Sequence, residues 1–260
     1  MLRPLPGPDL TDPLLSQTDK DDPMPLMGFV QQLGTGALVT IQVAVLAYLL
    51  ALLIGTLFAL ATLKRRLVAN IIWQTYASIF TGVPSLLVAF LFYYAGSGII
   101  SSLLSLAGLN VTIDVSPFMA AVAALGMVYG AYLADLIRSA IQNVPPGQFE
   151  ATKVLLIPRP AAWVLVILPQ VLRLALPGMT NMWIVVLKDT ALISLIGLKE
   201  IMAYAKLASG VTKEPFIYYL LASAFFLGMT ALTYFVSQRI EQWTRRGYRP
   251  VAAKGPAHAL

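Results

Sequence analysis

The sequence predicts an all-α, polytopic membrane protein with about five transmembrane helices. Three observations carry this. First, 58% of the 260 residues are hydrophobic and only 12% are charged, with a mean hydropathy of +0.77. A water-soluble domain carries about 25% charged residues, and half that fraction cannot cover a water-facing surface. Second, the charges are segregated: none falls between Asp22 and Lys64, and none between Arg66 and Asp114. A helix needs about 20 apolar residues to cross a bilayer, so each of these gaps holds at least one crossing. Third, the first, third and fifth apolar tracts end in short polar stretches that carry Lys and Arg.

The first 30 residues are read as a flexible tail. "MLRPLPGPDLTDPLLSQTDKDDPMP" holds five aspartates and several prolines, and no basic stretch leads into an apolar one as in a signal peptide. Residues 31–240 form the membrane domain and residues 241–260 a second tail. The first crossing is expected over Gly36 to Leu63, ending at Lys64-Arg65-Arg66. The second is expected over Ile71 to Tyr94, with "GVPSLL" (82–87) inside it, since neighbouring helices can satisfy the carbonyl that Pro84 frees. A linker, Ala95 to Ser116, follows; its "IISSLLSLAGL" is read as interfacial or a short helix. The third crossing is Pro117 to Ile137, rich in the Ala and Gly that allow close helix packing. After a loop at 144–160, "AAWVLVILPQVLRLAL" is broken by Pro169 and carries Arg173, and is read as a segment rising from the interface. The fourth crossing is Pro177 to Leu198, the stretch Lys199 to Glu214 is a mixed-charge link, and the fifth crossing is Pro215 to Gln238.

Five crossings place the termini on opposite sides. Short loops rich in Lys and Arg face the cytoplasm. Lys64, Arg65 and Arg66, then Arg138, Lys153 and Arg159, then Arg239, Arg245, Arg246, Arg249 and Lys254 all fall on one side under this count. The acidic N-terminal tail and Asp114 fall on the other; the three lysines between 199 and 213 fall there too, against the trend. The expected arrangement is N-terminus periplasmic and C-terminus cytoplasmic. The net charge of +6 is mostly this asymmetry, so no nucleic-acid partner is needed to explain it.

Composition excludes several chemistries. With no cysteine there is no disulfide, thiolate metal site or thiol nucleophile. The single histidine, His258, lies two residues from the end of the sequence. No G-x-x-x-x-G-K-[ST] phosphate loop occurs. No catalytic residue, metal ligand or cofactor site is expected, and the chain is not expected to be an enzyme.

The loop "VPPGQFEATKVLLIPRP" (144–160) is a short polar helix fenced by prolines at both ends. A helix of two to three turns is marginal in water and needs a surface to dock on. On physics alone that surface is either the bundle's own helix ends or a cytoplasmic partner.

This loop resembles the "EAA" signature of permease subunits of binding-protein-dependent ABC importers: EAA, three residues, G, nine residues, I-x-L-P. Glu150-Ala151-Thr152 stands for EAA and Val166-Ile167-Leu168-Pro169 for I-x-L-P. Thr152 replaces the third-place alanine, and Leu156 replaces the glycine that turns the chain, a turn Pro158 and Pro160 could supply instead. "GALVTIQVAV", "GVPSLL", "YGAYLADLIRSAIQNVPPGQFEA" and "LKDTALISLIGLKEI" resemble the polar amino-acid branch, in particular importers of histidine, lysine, arginine and opines. Thr81 stands where an arginine is usual and Asp135 where a glutamate is usual.

The resemblance implies a type I importer permease fold. Partners would be two ATP-binding cassette ATPase subunits that bind ATP and magnesium, a second identical or homologous permease, a periplasmic substrate-binding protein, an amino-acid substrate and the bilayer of a bacterial inner membrane. It implies that Gly147, Gln148, Glu150, Ala151, Thr152, Lys153 and Leu156 form the ATPase-coupling loop, with Glu150 meeting a basic group. Closure of the ATPases would pull the third to fifth crossings between inward-open and outward-open arrangements.

Charges within the crossings stand out, since each costs at least about 2.5–3.5 kcal/mol at the bilayer centre. Lys188 and Asp189 either neutralise each other or line the translocation path, with Asn181 two turns earlier sharing that face. Asp135 is a further path candidate, although it and Arg138 are spaced to pair locally. Trp183 and Tyr132 are read as packing residues or interface anchors rather than a substrate cage. The competing class is a stand-alone secondary transporter or channel, which calls for inverted repeats and paired broken helices; no convincing internal repeat is visible.

Overall fold

The computed structural model describes residues 24–63, 67–109 and 114–245, and among them every regular element is helical. The aspartate-rich start, the Lys64-Arg65-Arg66 cluster, and Arg246, Arg249, Lys254 and His258 lie outside the described residues. In chain order the helices are α1 (Met24–Thr62), α2 (Leu67–Gly82), α3 (Ser85–Phe90), α4 (Gly96–Leu106), α5 (Pro117–Gln142), α6 (Pro146–Val154), α7 (Arg159–Ala162), α8 (Leu168–Asp189), α9 (Ile201–Thr212) and α10 (Pro215–Arg245). Because α1 starts at Met24, the last residues of the stretch 1–30 are helical rather than tail.

Five helical tracts are long and apolar enough to cross a membrane: Gly28–Thr62, Ser85–Leu106, Pro117–Gln142, Arg159–Ile196 and Pro215–Thr244. The number matches expectation, but the bounds move, most in the second and fourth tracts: the second begins at Ser85 and not at Ile71, which leaves α2 outside it. The second tract runs to Leu106, so Ala95 and the "IISSLLSL" stretch are inside a helix and not in a linker. The fourth is one track from Arg159 to Ile196, with no separate segment rising from the interface. Pro169 does not break it. A proline frees the carbonyl four residues back, here that of Leu165, and the helix widens into a π-turn over Trp163–Ile167. Pro177 sits within α8 in the same track.

α5 is the central helix. Ser116 caps it by accepting from Met119 N, and Pro117 follows in the first turn, where its missing N–H costs nothing. Its alanines and glycines let α1 approach closely. A Cβ on Gly55 would meet Leu133 Cβ at 2.9 Å, one on Gly126 would meet Leu50 Cδ2 at 2.6 Å, and one on Gly130 would meet Ile54 Cγ2 at 2.9 Å. In a bilayer such van der Waals fit, rather than hydrophobic exclusion, holds helices together. On another face, Trp73 of α2 packs on Ala131 and Ala134, and Phe58 stacks on Tyr76 at 4.7 Å. Tyr76 Oη donates to Met127 O, which satisfies its hydroxyl inside the bundle.

α2 and the helix beginning at Ser85 run antiparallel along α5, separated by the break at Gly82-Val83-Pro84. Tyr76 reaches Met127 near the middle of the 26-residue α5, and Val88 and Ala89 pack with Ala121, Ala124 and Leu125 further along it. The break therefore lies close to half-depth of the bundle.

The stretch read as a mixed-charge link contains α9, which packs on α1 and α10 through Leu33, Ala205, Tyr218 and Ala222. Its N-cap, Glu200, is fully buried; Oε1 accepts from Ala203 N at 2.9 Å and Oε2 from Thr40 Oγ1 at 3.4 Å. Gly36 leaves room here, since a Cβ would lie 2.9 Å from the Glu200 carbonyl carbon. Burial pushes the Glu200 carboxyl from its ordinary 4.5 up to about 7, against the lowering effect of the hydrogen bonds it accepts. The folded chain thus favours the protonated acid. Its contribution to stability is complete below about pH 4.5 and is lost as pH rises through about 7, an effect of up to about 3 kcal/mol. Glu200→Gln is expected to flatten the decline of the thermal midpoint across that window. An unchanged slope in the variant would contradict the assignment.

Candidate functional site

Two features outside ordinary packing are connected by the fourth tract, one just before its start and one within it. The first is α6, which lies between the third and fourth membrane-length tracts. Pro145 and Pro146 open it, and one face is held by the bundle. Phe149 packs near Ile167 and meets Trp163 edge-on at 6.3 Å, Thr152 is buried, and Gln148 Oε1 accepts from Gln170 Nε2 at 3.1 Å. Gly147, Glu150, Ala151 and Lys153 are exposed on the other face. Of the seven residues assigned to the loop, Gln148 and Thr152 therefore face their own bundle. The burial of Thr152 explains why only a small side chain fits there, and its hydroxyl bonds back to Phe149 O.

The helix ends in a Schellman turn. Leu156 N donates to Lys153 O and Ile157 N to Thr152 O, with Leu156 itself left-handed at φ 53°. The turn is thus the one expected of glycine; Pro158 and Pro160 do not supply it. A leucine there is strained by about 1–2 kcal/mol, and with 88% of Leu156 exposed no internal packing compensates. Leu156→Gly is expected to stabilise the loop by about 1 kcal/mol, slowing tryptic cleavage after Lys153 by about fivefold. Equal or faster cleavage would contradict this.

The second feature is Asp189, the last residue of α8, where the helix tightens into a 3-10 segment over Thr190–Ile196. Its Oδ2 accepts from Ser85 Oγ at 2.9 Å and from Tyr129 Oη at 2.5 Å. Tyr129 is midway along α5, and Ser85 is the first residue of α3, whose N-terminal dipole favours a carboxylate. Three tracts meet at this one oxygen at half-depth. A cavity of about 350 Å³ adjoins it, lined by Thr81, the Gly82-Val83-Pro84-Ser85 break, Val128, Tyr129, Tyr132 and Asp189.

The path candidates do not all converge. Asp189 turns inward, while Asn181 and Lys188, seven residues apart on α8, are exposed on another face, so Lys188 and Asp189 do not form a self-contained pair. Asp135 is exposed and lines a separate cavity of about 540 Å³ between α5 and α8, with Ser139, Asn143 and Gly178. Among the described residues it makes no ion pair with Arg138. Trp183 packs as expected, edge-on to Tyr48 and donating to Thr233 Oγ1. Tyr132 has its ring 6.0 Å from that of Tyr129 and also lines the Asp189 cavity. Ser85, Tyr129 and the buried Glu200 were not anticipated. Ser85 is legible only in that it follows the Gly-Val-Pro break, and Tyr129 carries no local signal at all.

Residues 29–246 match the family described as "Binding-protein-dependent transport system inner membrane component". The chain is 36% identical over 226 residues to the nopaline transport system permease protein of Agrobacterium fabrum, covering 85% of this chain and 94% of that one. It is 35% identical over 234 residues to the arginine ABC transporter permease protein of Escherichia coli, covering 84% and 97%. Among solved structures, an amino acid ABC transporter superposes with a TM-score of 0.70 at 28% identity, covering 85% of this chain and 98% of that one. An inward-facing methionine ABC transporter superposes at 0.63 with 16% identity, covering 85% and 99%, a likeness of fold alone.

Proposed function

The chain belongs to the family of binding-protein-dependent transport system inner membrane components, and from that premise we propose that it is the permease subunit of an ATP-driven amino-acid importer whose α6 is the coupling helix. The substrate class is polar or basic amino acids or opines. The relatives' names support this, since they include permeases for nopaline, octopine, arginine, and histidine/lysine/arginine/ornithine. The partners are two ATPase subunits, which bind ATP and magnesium, a second permease and a periplasmic binding protein. The membrane is a bacterial inner membrane, with the N-terminal tail periplasmic and the 144–160 loop and the C-terminal tail cytoplasmic.

The observation that carries the proposal is the two-faced seating of α6. Phe149, Thr152 and Gln148 fix it to the bundle, so a push on the helix is transmitted and not absorbed. Glu150, Ala151 and Lys153 point away, free for a partner's groove, with Val154, Leu155 and Leu156 exposed beside them. From α6 the chain passes through α7 and the π-turn into α8, which at 1.5 Å per residue extends about 33 Å to Asp189. A displacement of α6 thereby bears on the Ser85–Asp189–Tyr129 junction, where three tracts can part or rejoin. In this reading Asp189 and Asp135 line the translocation path, and the exposed Asn181 and Lys188 lie on a face that would meet the second permease.

Purification tests this. The chain is expected to co-isolate with an ATPase whose hydrolysis rises when the loaded external binding protein is added. Solute uptake by the purified chain alone would favour a secondary transporter instead.

A further inference from the structure

We propose that the crevice under the flank of α6 is a phosphate-binding site, filled by the headgroup of an anionic phospholipid or by free phosphate. It does not depend on which solute the chain carries.

The crevice has a volume of about 310 Å³ and lies between α6 and the start of the fourth tract. Phe149 and Trp163, which meet edge-on at 6.3 Å, form its apolar wall with the buried Ala162 and Ile167. Two cations stand against that wall. Lys153 follows the buried Thr152 by one residue, which puts it about 100° further round α6, on the flank of the helix. Arg159 opens the fourth tract.

Charge carries the argument. The lining holds Lys153 and Arg159 and no carboxylate. Glu150 is exposed on the outward face of α6 and is not among the lining residues. Among the described residues neither cation forms an ion pair or donates a hydrogen bond, and the indole N–H of Trp163 has no acceptor. Two like charges against one apolar wall repel, and an anion between them turns that repulsion into attraction. A phosphate suits these donors: a guanidinium offers it a planar fork, an ammonium a point charge and an indole a single N–H. Basic pockets between helices on the cytoplasmic side of a membrane bind phospholipid headgroups by the same chemistry.

The volume is near the lower end of ligand pockets, which run from about 300 to 1,000 Å³, so it suits a phosphate and not acyl chains. For a lipid, Val164, Leu165 and Leu168 continue along the tract beyond Trp163, and all three are exposed. A bound phosphate would tie Lys153 of α6 to Arg159 of the fourth tract. It would thereby stiffen the joint at 155–158 that a push on α6 has to cross.

The test uses the complete assembly in phosphatidylcholine nanodiscs and two probes. One is a photoreactive phosphatidylglycerol, mapped by proteolysis and compared with photoreactive phosphatidylcholine. The other is radiolabelled inorganic phosphate. Each is applied to the parent, to Arg159→Gln and to Arg239→Gln. Arg239 is exposed, lies over the Phe235 ring and is outside the crevice, so its loss removes the same charge elsewhere. Binding is expected to fall about fivefold or more in Arg159→Gln and to stay within about twofold of the parent in Arg239→Gln. Phosphatidylglycerol adducts within 149–167 that depend on Arg159 identify the headgroup as the source. Arg159-dependent retention of inorganic phosphate without such adducts identifies free phosphate. Equal losses in the two arginine variants would make the effect one of general surface charge and overturn the proposal. The parent gives a reading that needs no variant: phosphatidylglycerol adducts no more abundant there than phosphatidylcholine adducts, with no phosphate retained, would also overturn it. Neither probe reads uptake, so the importer assignment stands or falls separately.

Discussion

Charge reversal at Glu150 is expected to abolish coupling while leaving the membrane domain folded. Glu150 is exposed on α6, so Glu150→Lys breaks no internal contact, and the effect on stability should stay within about 0.5 kcal/mol. If α6 docks on the ATPase as proposed, with Glu150 meeting a basic group there, the same change sets like charges against each other, a penalty of several kcal/mol. Uptake should fall by about two orders of magnitude. The thermal midpoint of the chain should hold, and the ATPase should be lost on purification or should hydrolyse ATP without responding to the binding protein. Normal uptake by Glu150→Lys would remove the docking role from α6.

Asp189→Asn is the second large effect. The amide is nearly isosteric and still offers an oxygen to Ser85 Oγ and Tyr129 Oη, so the bundle should assemble. What is lost is charge. Hydrogen bonds to an ionised group contribute about 1.5–3 kcal/mol and neutral ones about 0.5–1.5 kcal/mol, so the junction weakens, and the half-depth cavity loses its only carboxylate. Uptake per assembled complex is expected to fall about tenfold or more. The measurement pairs transport rate with the yield of complex. Loss of yield with unchanged rate per complex would reduce Asp189 to a structural tie between helices.

Tract length and charge segregation suffice to count the crossings, because a bilayer punishes any unpaired backbone group or charge and so constrains composition over some 20 residues at a time. The same signal places α6, whose fencing prolines mark it off from the apolar tracts. Boundaries are less legible. Pro169 looks like a terminator, yet a π-turn over Trp163–Ile167 absorbs it, and nothing in the local sequence announces that accommodation. The left-handed Leu156 is hidden for a similar reason: the type of residue argues against the conformation, and the hydrogen bonds from Leu156 N and Ile157 N impose it.

Within the candidate sites, what depends on three dimensions is out of reach of periodicity. Thr152 reads as one more polar residue of a solvent-facing helix, and its burial depends on how α6 seats against the start of the fourth tract. Asp189 is conspicuous as an intramembrane charge, but its partners lie 104 and 60 residues away, on α3 and α5. Glu200 looks like a surface charge among lysines and is instead sealed against Gly36 and Thr40.

The absence of cysteine makes the central claim directly measurable, since Ala151→Cys would introduce the only thiol in the chain. Ala151 is small and exposed on the outward face of α6. Treated with a short thiol-reactive crosslinker in the complete assembly, the Ala151→Cys variant is expected to be joined to the ATPase subunit, with a yield that changes when ATP closes the ATPases. A thiol that reacts freely with soluble reagents in the intact assembly, and never crosslinks to the ATPase with or without ATP, would contradict the account.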